Sequence, residues 1–232
     1  MYTLHIGNKN YSSWSLRPWV LLSELGIPFQ ERLHVFGPGY AESIRGKSPT
    51  GKVPCLHDNS HRVIWDSLAI CEYLAERRPG VWPADDDARA WARSAAAEMH
   101  SGFAALRNAC GMNCGIRARL HEMSPAVRKD IERIGALWTE GLERFGGPFL
   151  AGKSFGAVDA FYCPVAFRVQ SYGLELPPRA MEYARRLLEL PSMKRWYAAA
   201  LAEPWRDPPH EEELAQAARI LQDHRIAPAA VT

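Results

Sequence analysis

Hydrophobic and polar positions follow two different rhythms along this chain. In the first eighty residues they fall into short runs and alternations. Tyr2 to Ile6 mixes β-branched and aromatic residues and ends at Gly7-Asn8, a strand running into a loop. Leu16 to Leu25 is mostly apolar and stops at Gly26-Ile27-Pro28, which predicts a helix with a C-terminal stop. Phe29 to Phe36 sets Gln30, Arg32 and His34 against Phe29, Leu33 and Val35, a second strand broken by Gly37-Pro38-Gly39, and residues 40–47 make a short helix or turn. Two further short strands, ending at His57 and spanning Arg62–Trp65, are joined by an Asp58-Asn59-Ser60 turn, a hairpin signal. Asp66-Ser67 then opens a helix from Leu68 to Arg78, closed by Pro79-Gly80. The order strand, helix, strand, helix, strand, strand, helix is that of an α/β unit.

From Ala88 onward the rhythm is helical throughout. Trp91, Ala95, Met99, Phe103 and Leu106 recur at about 3.6 residues. Ser124-Pro125 supplies a cap and an N1 proline to a helix striped by Val127, Ile131, Ile134, Trp138, Leu142 and Phe145, ended by Gly146-Gly147-Pro148. Further helices are predicted over 157–171, near 178–189 and over 192–202, and after Asp207-Pro208-Pro209, with a loose Ala/Pro tail behind. The fold class expected is α/β plus all-α: residues 1–79 as one domain, 80–87 as a linker and 88–232 as an all-helical domain.

Composition removes several classes of function. The 28 basic and 26 acidic residues are interspersed and leave a net charge of +2, so no nucleic-acid partner is expected. No apolar run approaches the roughly 18 residues of a membrane span. The N-terminus reads as a strand and not as a secretory signal. The five cysteines, Cys55, Cys71, Cys110, Cys114 and Cys163, form no CxxC pair, which fits a reduced, cytoplasmic protein, and the His and Cys spacings suggest no metal site.

Three places carry candidate chemistry. The stretch Asn10 to Trp19 puts three serines where the first strand hands over to the first helix. Ser15 is placed to cap that helix and Pro18 to sit in its first turn, while Ser12 and Ser13 lie at the positive end, where an anion or thiolate is favoured. A serine-rich capping loop is the alternative. Pro54 stands inside a predicted strand, where it removes a ladder donor; a cis Val53-Pro54 bond with the strand edge facing a ligand accounts for it, as does an ordinary trans edge-strand proline. Asp66-Ser67 either caps its helix or offers a hydroxyl and N–H groups to a carboxylate.

These features, in this order, resemble the cytosolic glutathione S-transferase family over nearly the whole chain. Ser12-Ser13-Trp14-Ser15-Leu16-Arg17 is similar to the Ser-Ser-Cys-Ser-x-Arg motif of the serine-type zeta class. Pro49 to Leu56 is similar to that class's Asn-Pro-x-x-x-Val-Pro-x-Leu segment, and Asp66-Ser67-Leu68-Ala69-Ile70 with Glu72-Tyr73-Leu74 to the family's Glu/Gln-Ser-x-Ala-Ile-x-x-Tyr-Leu segment. Phe155 to Ala160 resembles the Ser/Thr-x-x-Asp capping box, with Gly156 replacing the hydroxyl residue. The resemblance implies a thioredoxin-like domain that binds glutathione as co-substrate, a helical domain that forms the acceptor pocket, and a homodimer. Carried over by position, Ser12 is the thiolate-stabilising hydroxyl with Ser13 second. Lys52, Val53, Pro54, Asp66 and Ser67 hold glutathione, and Trp14, Met99, Phe103, Arg107 and Asn108 border the electrophilic acceptor. Trp14 replaces the zeta class's cysteine, which leaves transfer, glutathione-dependent isomerisation and dehalogenation open. A non-catalytic interaction module of the same fold is the reading from another class.

Overall fold

β1 (Tyr2–Gly7) is the strand on which the first domain is assembled. In a computed structural model describing residues 1–227, it pairs in parallel with β2 (Phe29–His34) and antiparallel with β3 (Cys55–His57), and β4 (Val63–Trp65) closes the hairpin, giving the order β2-β1-β3-β4. Leu4 and Ile6 of β1 are fully buried, as a central strand requires. The parallel β1–β2 pair needs a crossover, and α1 (Ser13–Glu24) supplies it. α2 (Tyr40–Ile44) precedes the hairpin and α3 (Ser67–Ala75) follows it, completing a thioredoxin-like domain with a mixed sheet.

The helical domain comprises α4 (Asp86–Ser101), α5 (Ala104–Ala109), α6 (Pro125–Arg144), α7 (Ala157–Tyr172), α8 (Pro178–Glu189), α9 (Pro191–Leu201) and α10 (Pro208–Ala217). α7 is buried on every side except at Gln170, because its sequence is apolar all round, and α1 packs against it across the two domains. Ser124 caps α6 through its hydroxyl and the Val127 N–H. The stretch 80–87 already contains the start of α4, whose N-cap is Asp85.

Four expectations are corrected. The region beyond residue 88 is not helical throughout: β5 (Ile116–Leu120) pairs antiparallel with β6 (Ala218–Asp223). Ile116-Arg117-Ala118-Arg119-Leu120 alternates with period two, and Ile116 and Ala118 are buried. The stripe from Trp91 to Leu106 does not lie on one helix. Gly102 turns extended at the end of α4, with its Cβ position 2.7 Å from the Glu98 carbonyl oxygen, and Phe103 takes φ 55° before α5 begins. Ser15 does not cap α1; Ser12 occupies the N-cap position, so Pro18 falls in the second turn. β2 ends at His34, two residues early. Of the expected tail, residues 218–223 form β6, and residues 228–232 lie outside the described residues.

Candidate functional site

The loop from Asn8 to Ser12 is held by the helical domain. The Glu203 carboxylate accepts the Lys9 N–H at 2.7 Å and the Asn10 N–H at 3.4 Å, and Trp196 donates its indole N–H to the Lys9 carbonyl at 2.9 Å. Asn10 accepts the Gly115 N–H through Oδ1 at 3.0 Å and donates to the Ala200 carbonyl at 3.3 Å. Tyr11 donates its hydroxyl to Glu211 at 2.7 Å, and Arg225 binds the same carboxylate. At the start of the loop the Cβ position of Gly7 falls 2.3 Å from the Phe36 ring, so a side chain there would have to displace that ring. A loop with so many bonded backbone groups has one conformation to offer.

That conformation presents the serines unequally. The Ser12 hydroxyl donates to Ser15 Oγ at 2.7 Å, and Ser15 Oγ also accepts the Gly7 N–H at 3.1 Å. Ser12 is therefore tied inward. Ser13 begins α1, and its hydroxyl has no hydrogen-bond partner among the described residues. No side chain caps this helix, so its first turn keeps free N–H groups and the positive end of its dipole.

Next to it opens a cleft of 380 Å³ lined by Trp14, Thr50, Lys52, Val53, Pro54, Trp65, Asp66 and Ser67. The Val53-Pro54 peptide bond is cis. Asp66 takes φ 75°, ψ 135°, a strained conformation for a residue with a side chain, and its carboxylate accepts the Leu68 N–H at 2.8 Å. Its other oxygen lies 3.4 Å from His100 Nε2 of α4. Burial holds the His100 imidazole below its ordinary pKa; Asp66 opposes this and Arg17 and Arg107 add to it.

Behind the cleft lies Arg17, 1% exposed. It donates to Ser67 Oγ at 3.3 Å and stacks on Trp14 and Phe161, with its guanidinium carbon 4.1 and 4.7 Å from the ring centres. Its Nε is buried without a partner, and burial, with Arg107 and Arg168 nearby, brings its pKa down to about 9.

Trp14, Lys52, Val53, Pro54, Asp66 and Ser67 thus surround one cleft, whereas Ser12 and Ser13, which precede Trp14 in the chain, are almost buried and are not among its lining residues. The expected acceptor set is not brought together. Met99 is 0% exposed and Phe103 is buried, both in the core, and Asn108 lines a different, smaller cavity with Tyr11, Asn113, Tyr172 and His210. The break at Gly102-Phe103 redirects α5 and separates them. Arg107 stacks on Trp14, its guanidinium carbon 4.5 Å from the ring centre, without itself lining the cleft. Sequence reasoning missed His100, Arg17 as a buried cation, Trp65 at 46% exposure, and Glu203. Only an unpaired exposed tryptophan beside the Asp66 cap could have been noticed in advance. All five cysteines are buried and free, and among the described residues no cluster of His, Cys, Asp or Glu converges as metal ligands and no helix is long and apolar enough to cross a membrane.

Residues 11–77 match the model of the glutathione S-transferase N-terminal domain. Along most of its length the chain is similar to the glutathione S-transferase-like protein OpS6 of Beauveria bassiana, 25% identical over 208 residues covering 87% of this chain and 90% of that one. It is also similar to glutathione S-transferase GstB of Escherichia coli K12, 27% identical over 214 residues covering 84% and 92%. A glutathione transferase homolog from Burkholderia, solved with bound glutathione, shares the fold with a TM-score of 0.65 at 24% identity, over 86% of this chain and 97% of that one. Residues 11–77 thus match a glutathione S-transferase N-terminal domain, and most of the chain is similar in sequence and in fold to proteins that carry the glutathione transferase name.

Proposed function

We propose that the protein is a glutathione transferase which binds glutathione in the Trp14–Ser67 cleft, stabilises its thiolate with a serine of α1 and directs it at an electrophilic small molecule. The observation that carries this reading is that one cleft joins the Val53-Pro54 edge, the start of α3 at Asp66-Ser67 and the uncapped start of α1. The Val53 backbone pairs with the cysteinyl unit, an edge open because the chain turns there. Asp66, which also caps the Leu68 and Ala69 N–H groups, takes the γ-glutamyl ammonium, and the Ser67 hydroxyl and N–H at the start of α3 take its carboxylate. Lys52 supplies charge for the glycyl carboxylate. The bound relative from Burkholderia supports glutathione as the ligand class.

The thiolate is the nucleophile, and a hydroxyl that donates to it favours the charged form. Of the two candidates the geometry favours Ser13, whose hydroxyl is uncommitted, over Ser12, whose hydroxyl is given to Ser15. The α1 dipole and the buried Arg17 guanidinium act in the same direction, since both lower the energy of a nearby negative charge. Titration of the thiolate absorbance of bound glutathione tests the assignment. Loss of a hydrogen bond to a charged group costs about 1.5–3 kcal/mol, so Ser13→Ala raises the bound thiol's pKa by about one to two units and Ser12→Ala by less. The larger shift in Ser12→Ala would return the role to Ser12; unchanged curves in both variants would sink the serine mechanism.

A further inference from the structure

The buried cations of this protein are of two kinds, paired and unpaired. Arg225 binds Glu211 and Asp223, and Lys9 binds Glu31. Among the described residues Arg17, Arg107 and Arg168 have no carboxylate within ion-pair distance. Arg168 is buried and gives its Nε–H to the Cys110 carbonyl at 2.7 Å. Arg17 is committed to Ser67, at the end of the cleft assigned to the γ-glutamyl group. Arg107 is different. It comes from α5 of the helical domain and uses only Nη1, toward the His100 and Gly102 carbonyls at 3.3 and 3.4 Å. Its Nε and Nη2 have no hydrogen-bond partner among the described residues, and its guanidinium lies against Trp14, a wall of the cleft. A planar cation with free donors, stacked on an aromatic ring and without a counter-charge, is a site for a carboxylate.

We propose that the acceptor is a small anionic electrophile whose carboxylate binds Arg107 beside Trp14. This rests on the cleft being the glutathione site. Arg107 is then a specificity residue for the acceptor, and the electrophilic carbon lies between it and the glutathione sulfur.

Two conjugates of equal shape and different charge test it: S-carboxymethylglutathione and S-carbamoylmethylglutathione, titrated calorimetrically into the whole protein together with glutathione itself. The wild type binds the carboxylate about tenfold more tightly than the amide, the ratio expected of one charge-assisted hydrogen bond. Raising the salt concentration narrows that ratio. Arg107→Met keeps the aliphatic stem against Trp14 and makes the two conjugates bind alike, whereas Arg107→Lys keeps part of the preference. Equal affinities in the wild type, or a preference that survives in Arg107→Met, would overturn the assignment while glutathione still binds. If neither glutathione nor either conjugate binds, the glutathione reading falls and takes this one with it. Should Arg107→Met fail to melt cooperatively, Arg107→Lys and the salt dependence of the wild-type ratio decide.

Discussion

Two helix beginnings in this protein bury charge in opposite ways. At the start of α7, Asp159 is completely enclosed and fully bonded: it accepts the Leu150 N–H at 3.0 Å, the Gly156 N–H at 2.9 Å and the Tyr183 hydroxyl at 2.7 Å. Gly156 cannot return a side-chain bond, so the box has only its acidic half, and Tyr183 of α8 and the Leu150 backbone make up the rest. At the start of α1 nothing caps the helix, the Ser13 hydroxyl has no partner among the described residues, and Arg17 is buried with Nε unbonded. One site is satisfied by the protein itself; the other leaves polar groups unmatched among the described residues.

The contrast can be broken at either end, and the closed end yields the largest effect. Asp159→Ala strands two backbone N–H groups and a tyrosine hydroxyl in the core, and should lower stability by about 3 kcal/mol or more in denaturant unfolding. A loss below roughly 1 kcal/mol would mean that α7 does not depend on this carboxylate. Arg17→Met works the other way. It replaces an unpaired buried cation with an apolar chain of similar length, so the ligand-free protein should hold its stability within about 1 kcal/mol or gain, while glutathione affinity falls because Ser67 loses its donor. Strong destabilisation without ligand would show Arg17 to be a structural group like Asp159.

The smallest effect is in pH. Burial raises the Asp159 carboxyl to about 6, so its ionised form costs stability at neutral pH, and that cost is relieved as pH falls through 6 toward the unfolded value of 3.8. His5 runs oppositely. It bonds His34 at 2.8 Å and faces His57, and burial with those two neighbours, Lys47 and Arg32 lowers it to about 4. The unfolded chain then takes up the proton first, and stability is lost as pH falls from 6.5 to about 4. In the wild type the two partly cancel. Asp159→Asn removes one of them, so its melting temperature should fall more steeply than wild type between pH 6.5 and 4; parallel curves would contradict the raised Asp159 value.

Much of the frame was legible because it rests on local signals. The strand–helix order, the hairpin turn at Asp58, the Asp66 cap and the Ser124-Pro125 start each depend on a few adjacent residues. The ribbon of β5 and β6 was not legible, since its two strands lie about a hundred residues apart and each is too short to declare its partner. The acceptor side failed for a related reason. The family resemblance placed Met99, Phe103 and Asn108 beside the acceptor, but a single glycine and a left-handed phenylalanine turn α5 away from α4. His100 entered the site through tertiary contact with Asp66 and Trp14, which no spacing reveals.

The bonds from Tyr11 to Glu211 and Arg225 have a consequence for the order in which the protein is made. A ribosome delivers the serine loop about two hundred residues before the residues that lock it, Glu203, Glu211 and Arg225. The thioredoxin-like domain can collapse early, around β1 and α1, but its loop must wait for nearly the whole chain before it acquires a fixed shape. A chain stopped short of Trp196 would carry every residue assigned to glutathione and still hold the loop before α1 loosely. Competence to bind would thus arrive with residues 203–225 and not with the completion of the domain that does the binding.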